Sequence, residues 1–229
     1  MFVGHFKHFS YEGSKVPMSI YVSQSKAPYL DVNEMFRVTL IGMEYYEKFF
    51  GVEFPFSKYD QIFVPQFRIA GMENVGAVSF NDNFLKPGEE MTDSLRFKIA
   101  YICLHELAHM WFGDLVTMKW WNDLWLKESF ADFMALMCIT DCKSTLTSGP
   151  NGHIYQNPEI MSTRFIDFAL NSDVKASMTH PIQVDVQHTI DAVNVFDEIC
   201  YEKGACFIKT LKNYIGQEAL MAGSKAYFT

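Results

Sequence analysis

The sequence has no run that approaches the roughly 18 consecutive apolar residues needed for a membrane-spanning helix. Its opening residues, Met-Phe-Val-Gly-His-Phe-Lys-His, contain no continuous apolar stretch of the kind that a secretory signal requires. An Asn-x-Ser/Thr glycosylation acceptor is also missing from all 229 residues. These absences lead us to expect a cytoplasmic protein without a membrane span.

The cysteines form no recognisable framework. There are five, an odd number, at scattered positions: Cys103, Cys138, Cys142, Cys200 and Cys206. No cluster of Cys and His has the spacing of a structural zinc site. We expect five free thiols in a reducing compartment.

Basic clusters are missing too, and the formal net charge is −8. This charge argues against nucleic-acid binding, which depends on basic patches. A content of 49% hydrophobic and 20% charged residues indicates a globular chain, long enough for one sizeable core. The 21 Phe and 13 Met suggest that some apolar surface meets parts outside this chain.

The most informative feature that is present is the segment His105-Glu106-Leu107-Ala108-His109, followed by Glu128. On a helix, two histidines four residues apart lie on one face, so both imidazoles can reach one metal ion. Glu106 is rotated by about 100° from His105, toward a metal-bound water. Two His and one Glu leave one position of tetrahedral zinc open, which is typical of catalytic sites.

The pattern His-Glu-x-x-His also occurs in helices that bind no metal, so its surroundings matter. The segment from Phe97 to Phe112 has apolar residues at helical spacing, which leaves the histidines at the margin of an apolar stripe. The segment from Asn122 to Cys138 is also helix-like and carries Glu128. Asp132 shares a face with Glu128 and is either a hydrogen-bond partner of a liganding histidine or a solvated helix residue.

The order of elements predicts an α+β fold. Residues 1–80 form a sheet-bearing part with one helix, and residues 81–229 form a mainly helical part that carries the zinc site. Strands are predicted within 1–26, around a turn at Glu12-Gly13, and at 62–64 and 75–80, and residues 115–121 are expected to be extended. Helices are predicted at 31–50, from Thr92 or Asp93 to a stop at Gly113, and at 122–138, 159–170 and 194–214, with a surface loop at 143–157.

Four segments in order resemble the aminopeptidase N family of zinc metallopeptidases, which includes puromycin-sensitive aminopeptidases and leukotriene hydrolase. These segments are Ala70-Gly71-Met72-Glu73-Asn74, the stretch HELAHMWFGDLVTMKWWNDLWLKESFADF at 105–133, Thr179-His180-Pro181-Ile182, and Tyr201-Glu202-Lys203-Gly204. The resemblance runs from about Val3 to Tyr227. It implies a thermolysin-like catalytic domain, with a small mixed sheet lobe followed by a helical lobe.

The resemblance also implies roles for individual residues and one Zn²⁺ per chain. His105, His109 and Glu128 would bind the zinc, and Glu106 would deprotonate its water. Tyr201 would donate a hydrogen bond to the oxyanion. The substrate-binding residues would be Glu73, which holds the α-ammonium of a peptide with a free N-terminus, the backbone of Gly71 and Met72, which pairs with an extended peptide, and Asn74 beside them.

The chain departs from the family pattern in three ways. The usual motif begins Gly-Ala-Met-Glu-Asn, whereas here the first two residues are exchanged as Ala70-Gly71. Lys127 stands where many relatives have Asn. The family's N-terminal β domain and C-terminal helical domain are absent, so we expect a single catalytic domain over residues 1–229, as a fragment or a truncated product.

Three functions remain open from the sequence. The leading one is a zinc-dependent aminopeptidase that hydrolyses the N-terminal bond of peptides. The second is a zinc-binding remnant that lacks catalysis without the missing domains. The third is a zinc hydrolase of another specificity, such as an endopeptidase or an epoxide hydrolase.

Overall fold

The first third of the chain forms a five-stranded mixed sheet. The computed structural model describes residues 3–228, apart from the side chains of Met161, Ser162 and Phe165; the predicted strand region therefore begins, at residues 1 and 2, outside the described part. The strands are β1 (Phe6–Tyr11), β2 (Met18–Ser23), β3 (Tyr59–Val64), β4 (Gly71–Met72) and β5 (Ala77–Asn81). Their order is β1-β2-β3-β5-β4, parallel in the centre and antiparallel at both edges. The two-residue β4 is therefore an edge strand.

The described part of the chain also contains seven α-helices. They are α1 (Val32–Phe50), α2 (Asp93–Ala108), α3 (Leu124–Asp141), α4 (Lys143–Thr147), α5 (Glu159–Asp173), α6 (Gly204–Ile215) and α7 (Gln217–Phe228). A single π-helical turn, Ile199–Lys203, precedes α6. None of these helices is both long enough and apolar enough to cross a membrane. The mixed sheet followed by helices confirms the predicted α+β class.

The core forms where one face of the sheet meets α1, α2 and α3. Alternate residues of β2 (Met18, Ile20, Val22) point inward because successive strand side chains face opposite sides. The Asp31 side chain accepts the N–H of Glu34 and so fixes the start of α1. The Tyr46 hydroxyl of α1 donates to the carbonyl of Leu104 in α2, at 3.0 Å. The helix that carries the histidines is thereby held at the centre of the core.

Two expectations about α2 were wrong. The helix ends at Ala108, five residues before Gly113, and His109 is its C-cap. The histidines are also not at the margin of an apolar stripe, because every residue from Ile102 to Phe112 is buried. The helix lies between other elements on all sides, so its sequence carries little amphipathic signal.

The segment from Leu115 to Trp121 was predicted to be extended, but it begins in a turn and forms no strand, and only some of its residues, such as Trp120, have extended backbone. The structure shows a turn with one isolated bridge between Phe112 and Val116. The N–H groups of Asp114, Leu115 and Val116 bond back to the carbonyls of residues 109, 110 and 111. These backbone bonds to the end of α2 compete successfully with the strand preference of the β-branched and aromatic side chains.

The predicted surface loop at 143–157 instead contains α4 and a 3-10 turn, Gly152–Tyr155. Leu146 and Tyr155 are fully buried. The Tyr155 hydroxyl donates to Glu34 at 2.8 Å, which ties the segment to α1. Burial of two apolar side chains outweighs the polar composition on which the prediction depended. All five cysteines are free, as expected.

Candidate metal centre

Helices α2 and α3 bring His105, His109 and Glu128 to one point. The two Nε2 atoms lie 3.1 Å apart, and Glu128 Oε2 lies 3.5 Å from that of His105 and 3.2 Å from that of His109. Ligand atoms about 2.0–2.1 Å from a tetrahedral zinc ion are separated by about 3.3–3.4 Å. The three atoms therefore have the mutual spacing of three corners of a zinc tetrahedron.

The outer nitrogen of each imidazole has its own acceptor. His105 Nδ1 lies 2.7 Å from Asp132 Oδ1, and His109 Nδ1 lies 2.8 Å from the carbonyl of Phe112. Each Nδ1 therefore carries the proton in a neutral ring, and each Nε2 presents a lone pair. Two lone pairs and a carboxylate then face one another without a hydrogen between them. A cation satisfies all three, so the residues present fit a zinc ion.

The three side chains are also buried, so their charges and lone pairs are not stabilised by water. The exposed fractions of His105, His109 and Glu128 are 8%, 1% and 3%. Burial alone would raise the pKa of Glu128, but the two histidines and Lys127 hold it well below the usual value. Burial alone would lower the pKa of His105, but Asp132 and Glu128 raise it well above its usual value. Both directions express a strong demand for positive charge at this point.

Asp132 has the position that the sequence suggested for a histidine partner. Its Oδ1 accepts from His105 and also from the hydroxyl of Tyr101. Sequence reasoning missed Tyr101, although it lies one helical turn before His105 and so shares its face. Two donors on one carboxylate oxygen fix the orientation of the imidazole.

Glu106 lies beside the triad with a buried carboxylate. Its Oε2 has no hydrogen-bond partner among the described residues. Glu73, Glu106 and His109 offer ligand atoms that all lie within 4.8 Å of one another, so the acidic groups face the same space as the triad. Burial above all, together with the charges of Glu73 and Glu128, raises the pKa of Glu106 to about 8, although His105 and Lys127 act in the opposite direction.

Gly71 of the edge strand β4 makes room for Glu106. A Cβ atom at position 71 would lie 2.0 Å from Glu106 Oε1 and 2.5 Å from its Cδ. The carboxylate therefore rests on bare backbone at this edge of the sheet.

Tyr201 reaches the site from the π-helical turn before α6. Its ring stacks on that of His105, with centroids 6.0 Å apart and planes inclined by 20°. The Ser129 hydroxyl of α3 donates to the carbonyl of Cys200 at 2.6 Å, and Gly204 lies so close that a Cβ there would be 1.8 Å from Ser129 Oγ. These contacts clamp the turn onto α3. Turns of this type are frequent at functional sites.

His180 supports the same turn from the other side. Its Nε2 lies 2.6 Å from Asp197 Oδ2, and Asp197 Oδ1 accepts the N–H groups of Ile199 and Cys200. Two of the segments singled out in the sequence, 179–182 and 201–204, thus meet through Asp197. Asp197 and Ser129 themselves were missed, because no local spacing marks them.

The segment after β4 places Glu73 opposite Lys127. The Lys127 ammonium contacts Glu73 Oε1 and lies 2.6 Å from Glu128 Oε1. The Asn74 amide donates to Ser79 Oγ at 3.2 Å, which braces the turn between β4 and β5. Met72 pairs with Ser79 in the sheet. Of the residues predicted to meet substrate, Glu73 therefore lies near His109 and Gly71 lies against Glu106, while the Asn74 side chain holds the turn.

Comparison with known proteins agrees with this geometry. Residues 35–229 match the model of the peptidase family M1 domain. The chain is 41% identical over 226 residues to aminopeptidase N of Streptomyces lividans, which covers 98% of this chain and 25% of that protein. It is 38% identical over 192 residues to tricorn protease-interacting factor F2 of Thermoplasma volcanium, covering 81% and 22%. It is 34% identical over 215 residues to human endoplasmic reticulum aminopeptidase 1, covering 93% and 22%.

The fold and the family match thus place the chain in one class of peptidase domain. The chain belongs to peptidase family M1, whose members are zinc metallopeptidases. This confirms the resemblance found in the sequence. The chain spans about a quarter of the length of these relatives.

Asp132→Asn tests the geometry around His105. The amide keeps the size of the side chain but weakens the acceptor for His105 Nδ1, so we expect zinc affinity to fall about 10- to 100-fold. Competition with a chelator of known affinity measures the change. Asp141→Asn, at the exposed end of the same helix, is the matched control and should keep the affinity of the unmodified chain. An unchanged affinity in Asp132→Asn would show that this hydrogen bond does not orient the ligand.

Proposed function

We propose that this chain carries the catalytic centre of a zinc-dependent aminopeptidase that removes N-terminal residues from peptides. The observation that supports it most is the convergence of three buried electron-pair donors beside the unpartnered carboxylate of Glu106. Membership of family M1 and relatives named as aminopeptidases favour the same reaction. Free thiols are compatible with a reducing compartment, so a cytoplasmic location is part of the proposal.

His105, His109 and Glu128 would hold the zinc ion. When bound, zinc acts as a Lewis acid that lowers the pKa of a water to about 7 and polarises a carbonyl. Glu106 would accept the proton of the attacking water and pass it to the leaving amine. Burial prepares Glu106 for this task, because it raises the pKa of the carboxyl from the ordinary acidic range to about 8. A general base works best when its pKa lies near the working pH.

Tyr201 would stabilise the charge that develops on the scissile carbonyl oxygen. Burial raises the pKa of its phenol well above the usual value, so the hydroxyl keeps its proton and can donate it to a hydrogen bond. The clamp at Ser129 and Gly204 holds the donor in place before substrate arrives, and a donor fixed in advance is what this kind of stabilisation requires.

Glu73 and β4 would orient the peptide. A primary ammonium needs a fixed anion, and Glu73 presents one at the end of the edge strand, close to Glu106 and His109. An extended peptide laid along β4 can pair with the backbone of Gly71 and Met72. The N-terminal residue would then lie between Glu73 and the triad.

Metal analysis and hydrolysis of an amino-acid arylamide by the purified chain test this function. We expect one zinc per chain, and we expect Glu106→Gln to keep the zinc while activity falls at least about 100-fold, because the proton acceptor is lost. Glu89→Gln, at an exposed glutamate, is the control. Acetylation of the substrate's amine should slow cleavage if the enzyme is an aminopeptidase. Zinc without hydrolysis would favour the non-catalytic remnant, and undiminished cleavage of acetylated peptides would favour an endopeptidase.

Gly71→Ala tests the approach of the sheet edge to Glu106. A methyl group at 2.0 Å from Oε1 forces the carboxylate or β4 to move, so we expect kcat to fall at least about tenfold. Within the described part of the chain, Gly71 forms no hydrogen bond with the three ligand side chains, so zinc content should not change. The Gly71→Ala change should also have no further effect in the Glu106→Gln background. A fully active Gly71→Ala protein would contradict the assigned position of Glu106.

A further inference from the structure

Lys127 is the feature of the site that the proposed function leaves unused. It lies on α3 immediately before Glu128, and its side chain is only 12% exposed. The aliphatic stem passes Gly113, where a Cβ would be 3.3 Å from Lys127 Cδ. The packing of the stem against Gly113 therefore places a largely buried ammonium group inside the site.

The Lys127 ammonium pairs with two carboxylates that have different proposed roles. Glu128 Oε1, at 2.6 Å, belongs to the carboxylate whose other oxygen faces the histidines. Glu73 Oε1 belongs to the residue that would hold the substrate's ammonium. The side chain of Glu73 is 11% exposed, and the ion-pair partner that the structure gives it is Lys127. The anion reserved for a primary ammonium is thus already paired with one.

We propose that Lys127 is a specificity-determining residue whose ammonium occupies, in the free protein, the place on Glu73 that the N-terminal ammonium of a peptide takes on binding. This inference rests on the proposed function only for the role of Glu73. Two ammonium groups on one carboxylate repel each other, so a peptide has to displace Lys127 or bind beside it at a lower affinity. Lys127 can release Glu73 and remain paired, because its contact with Glu128 is independent and an ammonium has three rotatable donors.

The exchange has a consequence for substrate choice. A peptide with a blocked N-terminus ordinarily leaves the recognition carboxylate buried and unpaired, which is strongly unfavourable. With Lys127 in place, Glu73 stays paired when a blocked peptide binds. The chain should therefore discriminate less between free and acetylated peptides than a variant without this lysine.

Isothermal titration of Leu-Gly-Gly amide and of its N-acetyl form tests the proposal without any need for turnover. The titrations use the Glu106→Gln protein with and without a second change, Lys127→Met, and the zinc content of every sample is measured. We expect Lys127→Met to bind the free peptide about tenfold more tightly or better, with a smaller change for the acetylated peptide. Lys119→Met removes the same charge at an exposed position and should change neither affinity.

The pairing with Glu73 is tested by a third change. In a Glu73→Gln background, Lys127→Met should no longer improve binding of the free peptide, because the contested anion is gone. Free-peptide affinity that is unchanged or weaker in Lys127→Met at equal zinc content would overturn the proposal, as would failure of both proteins to bind the peptide. These titrations measure binding and not hydrolysis, so they can be interpreted even if the chain proves to have no peptidase activity.

Competitive acetylation of the Glu106→Gln protein, which keeps Lys127 and does not consume the peptide, provides a test that needs no variant at position 127. Mass spectrometry measures how fast the Lys127 amine reacts with acetic anhydride, relative to Lys119. Leu-Gly-Gly amide should raise the relative rate at Lys127 at least about twofold, because the displaced ammonium loses one of its two charged partners, whereas the acetylated peptide should not. Equal or slower labelling with the free peptide would overturn the exchange.

Discussion

The site depends on one constraint, namely that three electron pairs converge in a buried space when both imidazole rings are neutral. The two inner imidazole nitrogens and Glu128 Oε2 lie 3.1–3.5 Å apart. The outer nitrogens are committed to Asp132 and to the Phe112 carbonyl, so the inner ones cannot both become donors in neutral rings. A cation resolves this conflict, and the surrounding elements hold the three groups where only a cation would favour them.

The rest of the site is arranged around this centre by close approaches. Gly71 admits the Glu106 carboxylate onto the sheet edge, and Gly204 admits the π-helical turn onto α3. Ser129 and Asp197 then bind the backbone of that turn, which sets the Tyr201 ring against His105. The residues that would activate water and stabilise the oxyanion are thus fixed by the packing of three separate elements, as a preorganised site requires.

The sequence predicted what local spacing controls. Two residues four apart share a helix face however the helix packs, so the pairing of His105 with His109 could be predicted. The motif around Glu128 suggested the third side chain that faces them. The contacts that link distant segments could not be predicted from the sequence. Lys127 and Glu73 are 54 residues apart, Ser129 and Cys200 are 71 apart, and no periodicity connects either pair. Burial also overrode composition at Tyr155 and Leu146, where a polar stretch was predicted to be a loop.

The most direct test of the central constraint is a crystal structure of the zinc-soaked chain, with anomalous data collected on both sides of the zinc absorption edge. We expect a single strong zinc peak at about 2.0–2.2 Å from His105 Nε2, His109 Nε2 and a Glu128 oxygen. We also expect Glu106 to lie beside this peak without binding the metal, which is the arrangement that follows from the constraint. Zinc at another position, or a triad that stays empty at saturating zinc, would contradict it.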